Sequence, residues 1–205
     1  MIVRLPAFIT TTWLLAMLPG VGQALMLRQT LTRGVSVALR TVLGTCTGLM
    51  LWSTGAAIGL SAVLLANPGA LTVVRGIGAI ALVVLGIGTL RRSRRRGETV
   101  ALAANAPAHG RAYLAGLATN LGNPKAGVFA VSLLPQFVHP GPHVTLATIA
   151  LGAIWATTTG LWYLVFIIAV HRGHAFMRRP RVAHAMEVST GVVLLGLGLG
   201  VALGG

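Results

Sequence analysis

Long apolar runs alternate with short arginine-bearing breaks along this chain. A membrane-spanning helix needs about 20 mostly apolar residues. Six segments reach that length: Pro6 to Leu27, Thr41 to Ala66, Leu71 to Leu90, Ala112 to Val138, Val144 to Val170 and His184 to Gly205. The pattern predicts an all-α, polytopic membrane protein with six transmembrane helices in a single domain over residues 1–205. The longest connections, Arg91 to Arg111 and His171 to Ala183, are too short and too basic to form a second domain.

A stretch rich in Gly, Ala, Pro and Asn at residues 97–110 divides the chain into a first repeat over about 1–96 and a second over about 111–205. Three spans is an odd number, so the two halves enter the membrane in opposite directions. Segments one and four hold corresponding places, and proline interrupts both, at Leu18-Pro19-Gly20 and at Asn123-Pro124-Lys125. Matched broken segments of this kind point to a 3+3 inverted repeat whose breaks meet near the midplane. Segments three and six end in similar runs, Leu85-Gly86-Ile87-Gly88 and Leu195-Gly196-Leu197-Gly198. The glycine pairs Gly44 with Gly48 and Gly55 with Gly59 have the spacing that lets helix backbones approach closely. Pro135 marks either the outer end of segment four or a further kink in it.

Composition agrees with that reading: 55% of residues are hydrophobic, 9% are charged and the mean hydropathy is +0.84. The net charge of +14 raises the question of nucleic acid. The arginines, however, lie in short connectors without aromatic interleaving or a binding fold, which excludes that partner. Thirteen of the sixteen basic residues fall on alternate connectors: Arg28, Arg33 and Arg40; Arg91 to Arg96 with Arg111; and Arg172 to Arg181. The positive-inside rule places those connectors in the cytoplasm and both termini outside, as expected in a cell inner membrane. Arg4 and Arg75 lie near predicted outer ends, where their side chains can snorkel. The run from Arg91 to Arg96 suits a surface of anionic lipid.

Several classes drop out. The first apolar run lacks an A-x-A cleavage pattern and is broken by Pro19-Gly20, so it is read as a helix and not a cleaved leader. Cys46 is the only cysteine, which excludes an intramolecular disulfide, a CxxC redox pair and a cysteine metal cluster. His171 and His174 share a helical face without Cys or acid nearby, and His139 and His143 flank an outer turn, so no metal or cofactor is expected. The only acids are Glu98 and Glu187; with no HExxH, no paired carboxylates and no nucleophile–base pair, the chain is not read as an enzyme.

Lys125, the only lysine, stands in the middle of the Ala112–Val138 run. An ammonium at the bilayer centre costs about 2.5–3.5 kcal/mol. It follows a proline that cannot continue the helical ladder, so it needs a polar partner or an aqueous cavity. Lys125 therefore marks the expected functional site.

The runs Leu18-Pro19-Gly20, Leu31-Thr32-Arg33-Gly34, Gly44 to Gly48, Gly59-Leu60, Gly78 and Leu85-Gly86-Ile87 resemble the first half of the lysine exporter superfamily, closest to its homoserine/threonine exporter branch (LysE/RhtB type). The second half resembles it through Gly116, Thr119-Asn120, Asn123-Pro124-Lys125, Phe129, Leu134-Pro135-Gln136-Phe137, Arg179-Pro180-Arg181-Val182 and Thr190-Gly191. The resemblance implies a secondary transporter that exports amino acids or similar small polar metabolites by proton antiport. The alternative from a different class is a non-transporting membrane scaffold or assembly factor. Two positions depart from the family: Val21 stands where a second proline is frequent, and Leu49 where many members carry aspartate or another polar residue.

For an amino-acid substrate, Asn123 as helix cap, Pro124 at the first helical position and Lys125 offer a positive site for the carboxylate, with Asn120 as a further hydrogen-bonding group. The substrate ammonium is expected at backbone carbonyls freed by Pro19 beside Gly20, with Gln23 one turn on as a polar liner. Lys125 is also the candidate proton carrier, since the only acids, Glu98 and Glu187, lie in the linker and at the very start of segment six. The expected partners are thus a small-molecule substrate, protons, membrane lipid and a second copy of the chain.

Overall fold

The computed structural model describes residues 4–66, 111–139 and 141–173, with isolated helical positions between 73 and 91 and between 188 and 199. The expected third and sixth spans, their paired glycine runs, the linker at 97–110 and the arginines after 173 lie wholly or largely outside the described residues. The described elements are helical, with no strand among them: α1 (Leu5–Met17), α2 (Val21–Arg33), α3 (Val35–Ala66), α4 (Ala112–Leu121), α5 (Pro124–Ser132), a 3₁₀ turn (Leu134–Phe137) and α6 (Val144–Arg172).

Helices α3 and α6 are long and apolar enough to cross a membrane, over Val35–Gly59 and Val144–Arg172. The pair α1 and α2 reaches the same standard together, bent by 57° at its break. The distribution of side chains is that of a lipid-facing bundle. Leu43, Ile58 and Leu146 are more than 60% exposed, while Thr12, Gln29, Thr41, Ser53 and Thr148 are fully buried. Most of these inward hydroxyls return to their own helix, as Thr41 does to Val37 O (3.1 Å), Ser53 to Leu49 O (2.8 Å) and Thr148 to Val144 O (2.8 Å). Without water, internal partners of this kind are what a buried polar group requires.

Two apolar clusters hold the helices together. Phe8 on α1 packs on Phe129 of α5 and Phe137 of the 3₁₀ turn, and Phe129 meets Trp155 of α6 with ring centroids 4.5 Å apart. On the other side, Met26, Ala38, Val42, Phe166, Ile167 and Val170 join α2, α3 and α6. Helices α3 and α4 cross with their backbones in contact: a Cβ at Gly44 would overlap Tyr113 O, and one at Gly116 would overlap Thr41 O. Gly48 similarly makes room for the side chain of Asn120.

The structure corrects one expectation and settles another. The connector from Arg28 to Arg40 is not a loop: α2 runs to Arg33 and α3 begins at Val35, with the turn confined to Gly34 at φ +87°. Arginine and glutamine are good helix formers, and only glycine takes that backbone angle without strain. Segment four is broken at Pro124, as expected, into α4 and α5, and of the two readings of Pro135 the structure bears out the helix end, with a 3₁₀ turn at Leu134–Phe137. Gly44 and Gly48 meet α4, whereas Gly55 and Gly59 have no neighbour within 4 Å among the described residues.

Candidate functional site

An α-helix leaves its last carbonyls without intrahelical donors. At the end of α1 proline deepens the deficit, because Leu15 O would ordinarily accept from the N–H that Pro19 lacks. Lys125, more than a hundred residues later, fills the gap: Nζ donates to Leu15 O at 3.2 Å and to Leu18 O at 3.3 Å. Between these two acceptors, Ala16 O and Met17 O receive Gln23 Nε2 at 3.4 and 3.3 Å. Leu14 O takes the Leu18 N–H. Every carbonyl from Leu14 to Leu18 is therefore met, four of the five by donors beyond the α1 ladder, in Lys125 and Gln23.

The second break follows the same logic. Pro124 has no N–H for Asn120 O, and that carbonyl accepts instead from Trp52 Nε1 at 3.3 Å and from Asn123 N–H at 3.0 Å. The Trp52 ring also lies on α5, where a Cβ at Gly127 would come within 2.9 Å of it. Asn123 caps α5, its Oδ1 accepting the Lys125 N–H at 3.1 Å. That bond sets the start of the helix one residue before Lys125, so the lysine leaves the first turn toward the α1–α2 break.

The two breaks share one cavity of about 30 Å³, lined by Leu18, Gly20, Gly22 and Gln23 from one side and by Asn120, Asn123 and Lys125 from the other. Thr45 and Leu49 of α3 and Trp155, Thr159 and Tyr163 of α6 close it. That volume is room for about two water molecules. Admitting a larger molecule requires the walls to part. Because the only acids in the sequence are Glu98 and Glu187, no described residue is a carboxylate, and Lys125 carries the one formal charge on the cavity wall. Among the described residues no cluster of three metal-binding side chains occurs.

Of the residues singled out from sequence, Gly20, Gln23, Asn120, Asn123 and Lys125 line the cavity, while Pro19 and Pro124 shape the backbone at its two edges. The carbonyls expected to face a substrate ammonium are held by Lys125 and Gln23. Asn120 presents to the interior an unpaired Oδ1, an acceptor, where the sequence reading assigns it to a carboxylate. Leu49, the departing family position, does lie in this wall. Trp52, Trp155, Thr159 and Tyr163 were not singled out; the last three sit at i, i+4 and i+8 along α6, a one-face spacing that a search for polar and aromatic positions in an apolar helix can find.

A family model described as LysE type translocator matches residues 13–205. The membrane protein YrhP of Bacillus subtilis is 25% identical over 94% of this chain and 95% of its own. The membrane protein PA4757 of Pseudomonas aeruginosa is 31% identical over 89% of this chain and 87% of its own. A homoserine/homoserine lactone efflux protein of Salmonella typhimurium is 24% identical over 94% of this chain and 92% of its own. No solved structure matches.

Proposed function

Because the chain belongs to the LysE type translocator family, a family of membrane transporters and not of enzymes, we propose that it is a secondary transporter exporting amino acids or similar small polar metabolites across the bacterial inner membrane by proton antiport. In this reading the chain spans the membrane six times as a 3+3 inverted repeat, with the breaks at Pro19 and Pro124 as its corresponding halves. The observation that carries it is the position of Lys125, whose ammonium joins the two helix breaks at a shared buried cavity with no carboxylate among the described residues to neutralise it. An ammonium has three N–H donors, and Leu15 and Leu18 take two of them. The third is available to a substrate carboxylate, beside the start of α5 where the helix dipole is positive.

The similarity to a homoserine/homoserine lactone efflux protein supports a small amino acid or derivative as cargo. Opening the cavity to either side of the membrane, by movement at the two breaks, gives alternating access. Cells loaded with a panel of amino acids through dipeptide feeding test the proposal. Expression of the chain should raise the rate at which one or more of them appears in the medium, and Lys125→Ala should not. Equal excretion with and without the chain across the panel would refute it.

A further inference from the structure

Three polar atoms on the cavity wall have no hydrogen-bond partner among the described residues: Gln23 Oε1, Asn120 Oδ1 and Thr159 Oγ1. Their residues are only 3%, 6% and 5% exposed, and they come from three different helices, α2, α4 and α6. A buried polar atom without a partner is destabilising, and such atoms in native structures call for an explanation. Here the three belong to residues that line one small space.

Their chemistry is of one kind. The Gln23 amide is oriented by Ala16 O and Met17 O, which can only accept, so its nitrogen points there and its oxygen is the free end. On α6, Thr157 and Thr158 turn back to the carbonyls of Ala153 and Trp155, as helical threonines commonly do. Thr159 does not, and leaves its hydroxyl on the cavity. Three acceptors on one cavity match a group with three donors and no acceptor, and a primary ammonium is that group. Lys125 is already held by Leu15 O and Leu18 O.

We infer that Gln23, Asn120 and Thr159 bind the primary ammonium of the substrate while Lys125 holds its carboxylate, so that the cavity selects zwitterions with no net charge. This rests on the transporter reading and adds its recognition rule. An α-hydroxy acid, with a single O–H donor in place of three N–H groups, leaves two of the three acceptors unmatched. A dibasic amino acid brings a second cation beside Lys125, where no described residue offers a carboxylate. Thr159 is the specificity-determining residue that this adds to the site.

The test uses the full chain in proteoliposomes and counterflow of labelled L-homoserine, L-threonine, L-serine and L-alanine. Homoserine counterflow should be inhibited by unlabelled homoserine. It should not be inhibited by its α-hydroxy analogue 2,4-dihydroxybutyrate, by its decarboxylated analogue 3-aminopropan-1-ol or by lysine; where another probe is the one carried, its own analogues are used. Thr159→Val should raise the half-saturating concentration of the carried amino acid about tenfold, the loss expected for one hydrogen bond to a charged group. It should shrink the preference over the α-hydroxy acid by the same factor. If the valine variant is poorly folded, Thr159→Ser, which keeps the hydroxyl, should retain the preference and Thr159→Ala should lose it. An unchanged preference in the variants, or α-hydroxy acid competing as well as amino acid in the wild type, overturns the inference and leaves the transporter reading standing. Failure of the wild type to carry any of the four probes overturns both.

Discussion

Lys125 donates to the carbonyl of Leu15, the acceptor that Pro19 leaves open four residues further on. Trp52 stands in the same relation to Asn120, the carbonyl that Pro124 leaves open. In each break a side chain from a distant helix supplies the donor that proline removed. The breaks are thereby held in register with each other, and a cavity too small for an amino acid forms where they meet. A charge in the membrane is tolerated at Lys125 because the backbone there has carbonyls in need of it.

Replacing Lys125 removes both the charge and the tie. Lys125→Ala should abolish export. It should also leave the Leu15 and Leu18 carbonyls unmatched in the interior, at a cost of about 1–3 kcal/mol, offset in part by the removal of a buried ammonium. Lys125→Gln keeps a donor and should recover thermal stability without recovering export. Lys125→Arg should also fail, because a planar guanidinium does not fit where a compact ammonium sits. Thermal unfolding in detergent read beside export separates these outcomes; wild-type export by the alanine variant would remove Lys125 from the site.

Trp52 offers a milder perturbation of the second break. Trp52→Phe keeps an aromatic ring against Gly127 but takes away the donor to Asn120 O. A loss of about 1 kcal/mol is expected, the net worth of a typical hydrogen bond, with slower export and little change in protein abundance. If export is unaffected while stability falls, the indole serves the fold alone.

Both breaks were legible in the sequence because proline removes an N–H wherever it stands, and Lys125 stood out as the one charge in the middle of an apolar run. The carbonyls it binds were not legible as its partners. Pro19 identified Leu15 as an open acceptor, but only the packing of α1 against α5 brings the two within reach. The α6 wall was hidden for another reason: Trp155, Thr159 and Tyr163 lie in a helix that is apolar all round, where a threonine that binds cargo has the same hydropathy as one that bonds back to its own helix. The helical course from Arg28 to Arg40 is not legible from charge, because arginines that mark a membrane boundary are equally compatible with helix and only Gly34 turns the chain.

The crossing of α3 and α4 sets how closely Asn120 approaches the rest of the wall. Gly44→Ala and Gly116→Ala each place a Cβ into opposing backbone, which cannot yield as a side-chain tip can. Each should destabilise the fold by about 1–3 kcal/mol, as overpacking does, and should lower export. Gly55→Ala meets open space among the described residues and should be neutral or stabilising, by up to about 1 kcal/mol from helix propensity. Thermal unfolding of the three variants side by side tests the assignment; equal effects at all three positions would contradict it.

Topology is testable without transport. On the proposed six-span reading the arginine bias predicts a cytoplasmic linker and both termini outside, so reporter fusions at residue 97 and at residue 205 should read cytoplasmic and periplasmic respectively. A cytoplasmic C-terminus would leave an odd number of crossings after the linker impossible and would remove the inverted repeat with it.

Energy coupling brings the argument back to Lys125. Proton antiport needs a group that gains and loses a proton within the transport path, and the described cavity offers no carboxylate, its α3 wall carrying Thr45 and Leu49. Coupling should therefore depend on Lys125. In proteoliposomes with an imposed pH gradient, the wild type should accumulate labelled amino acid against its concentration gradient, and Lys125→Gln should at most equilibrate it. Accumulation that survives Lys125→Gln would assign the proton to the substrate or to another group, and gradient-insensitive equilibration by the wild type would make the protein a facilitator.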